Sequence, residues 1–226
     1  MSLYEIEIKS LLGKEEQAND LRRKIEEHPL SFSLASKNKQ INHYFNFTGE
    51  LGERVPEDIT QHFSDTHRKA FDQIVQKGKS FSVRTRHIDG RTIFVIKASL
   101  DDQTSSNGIS RAEFEAEIPL LLSEIDQVLL DAGFDYLSKW SREREEYVSG
   151  DVHICIDRNA GYGYLAEFEK VIPHESEVEN TKQSLYDLMK EFGVEELPQD
   201  RLDRMFAHYN KCWPEYYGTE KIFCIE

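Results

Sequence analysis

Eight segments of the chain alternate between apolar and polar residues with a period of two, which is typical of β-strands whose faces meet different environments. They are residues 4–10, 40–47, 81–87, 92–99, 111–118, 140–148, 152–157 and 164–171. Eight strands are enough to close a β-barrel. The pattern therefore predicts an α+β fold whose main element is an eight-stranded β-barrel.

Five further stretches follow the helical period, and several of them carry an apolar stripe. They are residues 14–27, 56–78, 120–132, 181–192 and 200–212. In the third stretch the stripe consists of Leu121, Ile125, Val128 and Leu129. Because such a stripe buries itself against a neighbouring layer, we expect these helices to brace the outside of the barrel.

Short turns indicate that the sheet is antiparallel, and because no repeat, low-complexity tract or linker divides the sequence, we expect one domain over residues 1–226. Asp89-Gly90 separates two alternating segments as a hairpin turn, and Ser149-Gly150-Asp151 does the same later in the chain. Residues 101–108, rich in Asp, Ser, Asn and Gly, predict a longer loop. We further expect an inserted loop and helix at about residues 49–78 and a C-terminal extension at about 198–226. For the aromatic residues 213–217 of this extension we favour packing of the tail onto the domain over docking of a substrate base or ring.

The composition is that of a soluble globular protein, with 38% hydrophobic and 31% charged residues among 226. No apolar run is long enough to cross a bilayer, and no basic segment precedes an apolar one at the N-terminus. The formal charge of −14 opposes non-specific binding to nucleic acid or anionic lipid. We expect a cytoplasmic protein without nucleic-acid or membrane partners, and the sequence leaves a homodimer open.

The cysteines do not indicate a disulfide framework or a zinc site. Cys155, Cys212 and Cys224 are odd in number and lack the Cys-x-x-Cys spacing. His208 and Cys212 share a helical face, but we interpret them as ordinary surface and core residues.

Charged residues recur at alternate positions of the predicted strands, so each strand carries its charges on one face. These residues are Glu5, Glu7, Lys9, Arg84, Arg86, Lys97, Arg111, Glu113, Glu115, Arg142, Arg144, Asp157, Glu167 and Glu169. A solvated sheet face would explain any single strand. Like charges two residues apart repel, and their recurrence favours external counter-ions: a divalent cation for the carboxylates and a polyphosphate for the arginines.

Carboxylate pairs lie on the first and the last predicted strands. A barrel that closes these strands together would bring Glu5 and Glu7 toward Glu167 and Glu169. Four acids together with Asp157 suit either two metal ions or one metal ion with a free acid.

The order of these motifs resembles the CYTH superfamily, also called triphosphate tunnel metalloenzymes. The resemblance begins with Glu5-x-Glu7-x-Lys9 and extends to about residue 192. It implies an eight-stranded antiparallel barrel forming a tunnel, in which basic residues bind a triphosphate and acidic residues bind Mg²⁺ or Mn²⁺. Members include thiamine triphosphatases, inorganic triphosphatases and class IV adenylyl cyclases.

The resemblance also implies roles for individual residues. Metal ligands would be Glu5, Glu7, Glu167 and Glu169, assisted by Asp157. Phosphate contacts would come from Lys9, Arg84, Arg86, Lys97, Arg142 and Arg144, to which we add Arg111. Lys97 would lie toward the leaving group, and Tyr44 resembles the aromatic residue that partners this lysine in thiamine triphosphatases. Independently of the resemblance, we expect Glu113 or Glu115 to orient the attacking water.

These features predict a metal-dependent triphosphatase that acts on inorganic tripolyphosphate, thiamine triphosphate or a nucleoside triphosphate. One alternative is a class IV adenylyl cyclase, in which the same metal and arginines would serve the conversion of ATP to cyclic AMP and pyrophosphate. A second alternative is a non-catalytic module that binds polyphosphate or nucleotide. The number of acids on the predicted faces favours catalysis over binding alone.

Overall fold

The structure is a computed structural model that describes residues 4–99 and 111–225. Its strands are β1 (Tyr4–Gly13), β2 (Ser33–Asn46), β3 (Ser80–Ile88), β4 (Arg91–Ser99), β5 (Arg111–Glu117), β6 (Asp135–Ser149), β7 (Val152–Asn159) and β8 (Gly163–Ile172). Its helices are α1 (Glu15–Glu27), α2 (Leu51–Arg54), α3 (Glu57–Thr60), α4 (Asp65–Lys77), α5 (Leu122–Asp131), α6 (Val178–Phe192) and α7 (Gln199–Tyr216). The predicted loop at residues 101–108 lies outside the described residues.

The strands form one eight-stranded sheet in the order β1-β8-β7-β6-β2-β3-β4-β5. The pairs whose register is resolved are antiparallel. The predicted eight-stranded antiparallel α+β fold is therefore confirmed. In the described ranges β1 and β5 are the end strands and are not hydrogen-bonded to each other, so closure of the barrel stays a prediction.

Two strands begin earlier than the alternation predicts. β2 begins at Ser33 rather than residue 40, and β6 begins at Asp135 rather than residue 140. The first residues of β2 are mostly exposed, so they carry no apolar face that a sequence pattern could reveal. Pairing with β6 orders them instead, and the Ser36 hydroxyl donates to Glu146 over 3.1 Å.

The predicted helix over residues 56–78 is divided in the structure. α3 ends at Thr60 and α4 begins at Asp65, and α2 precedes them both. The break has a local cause, because the hydroxyl of Ser64 accepts a hydrogen bond from the backbone N–H of His67 over 3.1 Å and caps α4.

Two compact units make up the described chain. The terminal unit contains residues 4–39 and 142–225, and the central unit contains residues 40–99 and 111–141. The boundaries fall inside β2 and β6. Each unit has an apolar core of its own.

In both units one side of the strands packs against helices. The core of the terminal unit includes Ile6, Ile8 and Phe168 from the strands, with Leu21 of α1 and Met189 of α6. In the central unit the strand residues Val83, Phe94, Ile96 and Phe114 pack with Leu51, Ile59, Phe71, Ile74, Ile125 and Leu129 from α2 to α5. Full burial of each such side chain stabilises the folded state by about 1.5–3 kcal/mol. The predicted insertion at residues 49–78 thus forms a large part of the central core.

The C-terminal residues pack onto the turn between β7 and β8. Tyr209 of α7 is fully buried, and its ring lies 5.7 Å from the ring of Tyr162. The backbone N–H of Phe223 donates to the carbonyl of Gly161 over 2.8 Å. No helix in the described ranges has the length and apolar character needed to cross a bilayer.

Candidate functional site

In the central unit the strands β2 to β5 present a polar face opposite the apolar core. Cross-strand pairing places Tyr44 opposite Arg84 and Lys97 opposite Glu113. Paired residues of an antiparallel sheet point to the same side, and alternate residues share that side. We call the following six residues the basic cluster: Tyr44, Arg84, Arg86, Lys97, Glu113 and Glu115.

Arg84 is the most buried cation of the basic cluster, with 8% of its surface exposed. Its Nη1 donates to the hydroxyl of Tyr44 over 2.8 Å, and its Nη2 donates to Glu113 over 3.1 Å. Burial opposes the charge, but Tyr44 and Glu113 outweigh it and raise the pKa of Arg84. The Nε–H of this guanidinium has no hydrogen-bond partner among the described residues.

The other cations of the cluster share two carboxylates. Arg86 donates from Nη1 to Glu115 over 2.7 Å, and the ammonium of Lys97 lies 3.2 Å from Glu113. Burial raises the pKa of Glu113, but the positive charges of Lys97 and Arg84 lower it by more than burial raises it. The pKa therefore lies below its usual value, and the carboxyl is ionised. Three cations thus face two carboxylates in the basic cluster. The side chain of Arg111 lies outside the described part of the structure.

The terminal unit carries a second polar face, on β1, β8, β7 and the second half of β6. Glu7 lies opposite Glu169, and Lys9 lies opposite Glu167. We call the following residues the acidic cluster: Glu5, Glu7, Lys9, Arg142, Arg144, Asp157, Glu167 and Glu169. It contains five carboxylates and three cations, the reverse of the balance in the basic cluster.

Arg144 links two buried carboxylates of the acidic cluster. Its Nε donates to Asp157 over 2.7 Å, and its Nη2 donates to Asp157 and Glu167. Burial opposes these charges, but the mutual attraction raises the pKa of Arg144 well above its usual value and lowers that of Glu167. The Nη1 of Arg142 donates to Asp157 over 3.1 Å.

Lys9 neutralises further acids of this cluster. It forms an ion pair with Glu7, and its ammonium lies 3.5 Å from Glu167. Three of the five predicted metal ligands, Glu7, Asp157 and Glu167, are therefore paired with cations of the chain.

Glu5 and Glu169 differ from these acids, because neither carboxylate forms a hydrogen bond or an ion pair within the described residues. Burial, followed by the negative charges of Glu5 and Glu167, raises the pKa of Glu169 to about 7. At this carboxyl, burial and the neighbouring acids therefore outweigh the attraction of Arg144 and His153.

The acid pair fits a divalent cation in its donor chemistry, since Mg²⁺ and Mn²⁺ prefer oxygen ligands. No three His, Cys, Asp or Glu side chains in the described ranges are arranged together as a metal site. Mg²⁺ commonly uses only one or two carboxylates, with water and phosphate oxygens completing its shell. Glu5 and Glu169 therefore suit a cation that brings other oxygen ligands with it.

Four further residues on these two polar faces contact predicted site residues or each other, and the sequence did not predict them as site residues. Asn42 accepts from Nε of Arg86 over 3.1 Å, and the ring of Trp140 lies 6.3 Å from that of Tyr44. His153 and Glu146 form a pair at 2.8 Å. Their alternate spacing with Tyr44, Arg144 and Asp157 was the available signal, but only the strand register shows which neighbour each one contacts.

Cys155 also lies on the polar face of β7, opposite Glu167. The residue is buried, and this burial raises the pKa of its thiol to about 12. Cys212 and Cys224 are more accessible, and all three cysteines are free thiols.

A separate cleft of about 700 Å³ lies in the terminal unit, beside α1 and residues 192–198. None of the predicted site residues lines it. Its wall carries the carboxylates of Glu16, Asp20, Glu195 and Glu196 against the cations Lys24 and Arg201, so its excess of negative charge does not suit an anionic ligand.

Residues 3–201 match the family model of the CYTH domain. No curated protein sequence matches the chain. A conserved hypothetical protein from Pyrococcus furiosus has a similar structure, with 16% identity, a TM-score of 0.60 and coverage of 84% of this chain and 91% of that one. A candidate adenylate cyclase from Vibrio parahaemolyticus shares 15% identity with a TM-score of 0.58, and the match covers 92% of this chain and 99% of that one.

A candidate adenylyl cyclase from Hippeastrum, described as having a dominant triphosphatase activity, shares 18% identity with a TM-score of 0.50. The match covers 85% of this chain and 89% of that one. At such identities the structural likeness shows the fold alone.

Proposed function

The chain belongs to the CYTH domain family, and we propose that it hydrolyses a triphosphate compound with the help of a divalent cation. The observation that carries this proposal is the buried Nε–H of Arg84, which lacks a hydrogen-bond partner among the described residues. Buried N–H groups are nearly always satisfied, and an anionic oxygen satisfies a guanidinium best. Inorganic tripolyphosphate, thiamine triphosphate and nucleoside triphosphates all supply such oxygens.

The arginines of the basic cluster are suited to phosphate. Arg84 and Arg86 have planar guanidinium groups that stay protonated and bind two oxygens at once. Tyr44, Glu113 and Glu115 already hold these groups in place, so binding costs little side-chain entropy. The surplus of one positive charge in this cluster favours an anionic ligand.

Lys97 and Glu113 are suited to the chemical step. In hydrolysis a water oxygen bonds to the terminal phosphorus, the phosphoanhydride bond breaks, and the proton of the water leaves with the products. The ionised carboxylate of Glu113 can accept a hydrogen bond from that water and orient it. Lys97, 3.2 Å from Glu113, can stabilise the negative charge that develops on the leaving oxygen.

Glu5 and Glu169 would hold the divalent cation. A bound cation neutralises phosphate charge and polarises phosphoryl oxygens. Its positive charge would also offset the burial and the repulsion from Glu5 and Glu167 that together raise the pKa of Glu169. Lys9, Arg142 and Arg144 meanwhile form ion pairs with the neighbouring acids.

Cyclisation of ATP is the second candidate, because the same phosphate and cation contacts would serve attack by a ribose hydroxyl. Tyr44 and Trp140 form an aromatic pair on the polar face of the central unit, where the organic part of a nucleotide can stack. The activity described for the Hippeastrum relative supports hydrolysis as the first choice.

A product assay separates these functions. The protein is incubated with tripolyphosphate, thiamine triphosphate or ATP in the presence of Mg²⁺ or Mn²⁺, and phosphate and cyclic AMP are measured. We expect phosphate release that falls at least about a hundredfold in Arg84→Ala, because one buried charge contact is lost. Arg158→Ala, which changes an exposed arginine, is the matched control.

Cyclic AMP with pyrophosphate would assign the cyclase instead. Binding of triphosphate without either product would indicate a binding module. Turnover that Arg84→Ala leaves unchanged would contradict the assignment of the basic cluster.

A further inference from the structure

We propose that Asp126, which lies on the core side of the central unit, is a positioning residue that aligns Tyr44 and Arg84 for phosphate binding. The inference rests on the proposed function for its ligand. Asp126 belongs to α5 and has only 3% of its surface exposed. It cannot contact substrate on the opposite face of the sheet, so it would act through the strands it touches.

Asp126 accepts hydrogen bonds from three strands at once. Nδ1 of His43 lies 2.5 Å from Oδ2, the hydroxyl of Thr85 donates to Oδ1 over 2.7 Å, and the hydroxyl of Tyr136 donates to Oδ2 over 2.8 Å. Burial raises the pKa of Asp126, but the hydrogen bonds from His43 and Thr85 outweigh burial, so the pKa lies below its usual value. The carboxyl is therefore an ionised acceptor, which requires that Nδ1 of His43 carries the proton.

Two of these partners, His43 and Thr85, are the sequence neighbours of the phosphate-binding residues Tyr44 and Arg84. His43 lies opposite Thr85 in the ladder between β2 and β3, and the next pair is Tyr44 with Arg84. Because successive side chains alternate between faces, one carboxylate that holds His43 and Thr85 also fixes the alignment of that next pair. A slip of one residue would turn Arg84 toward the core.

The packing of α5 onto the central core does not require the hydrogen bonds of Asp126. Ile125 and Leu129 of the same helix are fully buried and already attach α5 to the central core. A buried carboxylate is costly unless its bonds are satisfied, and hydrogen bonds are directional whereas apolar contacts are not. The bonds of Asp126 therefore define the relative placement of β2 and β3 more narrowly than apolar contacts would.

The test compares Asp126→Ala with Leu129→Ala, a matched variant that removes a buried side chain from the same helix. Both variants should lose thermal stability. We expect Asp126→Ala to raise the KM for tripolyphosphate at least about tenfold, because small misplacements of binding groups are costly. Leu129→Ala should keep KM within about twofold of the starting protein.

Two conservative variants keep the test decisive if Asp126→Ala folds poorly. Asp126→Asn retains the shape and two acceptor bonds, and we expect it to restore KM to within about threefold of the starting protein. Thr85→Val removes one donor with little change of volume, and we expect a smaller rise in KM, of about threefold.

A spectroscopic measurement separates this proposal from the proposed function. The chain has two tryptophans, so Trp213→Phe leaves Trp140, which contacts Tyr44, as the reporter. We expect Asp126→Ala and Thr85→Val, but not Leu129→Ala, to shift the fluorescence emission maximum of Trp140 in the ligand-free protein.

An unchanged emission together with a KM equal to that of Leu129→Ala would overturn the positioning role. Shifted emission in a protein that neither binds nor hydrolyses tripolyphosphate would support the alignment and refute the proposed function.

Discussion

The hydroxyl of Tyr44 accepts a hydrogen bond from Arg84, and the guanidinium carbon lies 5.4 Å from the centroid of the same ring. Tyr44 therefore holds Arg84 through its polar tip and through its aromatic face. With Glu113 bound to Nη2, the Nε–H of Arg84 is left without a hydrogen-bond partner among the described residues.

Replacing Tyr44 by Phe should weaken phosphate binding without unfolding the protein. The ring contact remains, but a hydrogen bond to a charged group, worth about 1.5–3 kcal/mol, is lost. We expect the Kd for tripolyphosphate, measured by titration calorimetry, to rise about tenfold. Tyr186→Phe removes a comparable bond to Glu196 in the terminal unit, and it should leave Kd unchanged. Equal effects of the two variants would contradict the role of Tyr44.

Replacing Arg144 by Ala should destabilise the fold strongly. Asp157 and Glu167 would lose their shared cation while staying buried. Removing one partner of a buried ion pair typically costs about 3–5 kcal/mol. Urea denaturation followed by circular dichroism measures the change in the free energy of unfolding. Arg158→Ala breaks only exposed pairs and should cost less than about 1 kcal/mol.

The stability of the metal-free protein should fall as the pH rises toward neutrality. The pKa of Glu169 is about 7 in the folded protein against 4.5 for the free side chain, so the folded state binds this proton more tightly. The free energy of unfolding then decreases as the pH increases from 4.5 to 7, by on the order of 3 kcal/mol at most. Thermal melts in a chelator should show this slope in the starting protein and a shallower one in Glu169→Gln.

Mg²⁺ or Mn²⁺ should stabilise the protein above pH 7, where Glu169 is ionised. A ligand that binds only the folded state raises the free energy of unfolding by about 2.7 kcal/mol at a hundred times its Kd. Melting curves at increasing cation concentration should show a rise in Tm that Glu5→Gln and Glu169→Gln diminish. Glu117→Gln, which changes an exposed acid, should respond like the starting protein. A rise that survives both site variants would place the cation elsewhere.

Gly161→Ala should loosen the C-terminal tail. A Cβ at Gly161 would lie 2.8 Å from the Tyr209 ring and 2.9 Å from Phe223, and the residue has a positive φ of 80°. Gly150 also has a positive φ, of 61°, but a Cβ there meets nothing within 4 Å. Gly150→Ala therefore measures the backbone strain alone, about 1–2 kcal/mol. The loss in Gly161→Ala should exceed it by about 1–3 kcal/mol in the same urea experiment.

The local part of the charged faces was predictable from sequence. Alternation along Glu5, Glu7 and Lys9 follows from the period of a strand, which needs no knowledge of the fold. The eight-strand pattern likewise depended on local alternation, which holds wherever one face of a strand is buried. The residue roles that the resemblance implied stay predictions.

The contacts between distant segments were not predictable in the same way. Whether Lys9 faces Glu167 depends on the register of β1 against β8, which no single strand encodes. Asp126 is a polar neighbour of an apolar helical stripe, and only the approach of His43 and Thr85 explains its burial. The early start of β2 was missed because its first residues contribute little to the core.

The burial of Cys155 has a practical consequence for covalent chemistry. Thiolates, rather than thiols, react with alkylating agents and oxidants, and with a pKa of about 12 this side chain stays protonated at neutral pH. Cys224, exposed near the end of the chain, would therefore react first. A fluorophore can be attached there without modifying a charged strand face, and mild oxidants should spare the cysteine nearest to the carboxylates.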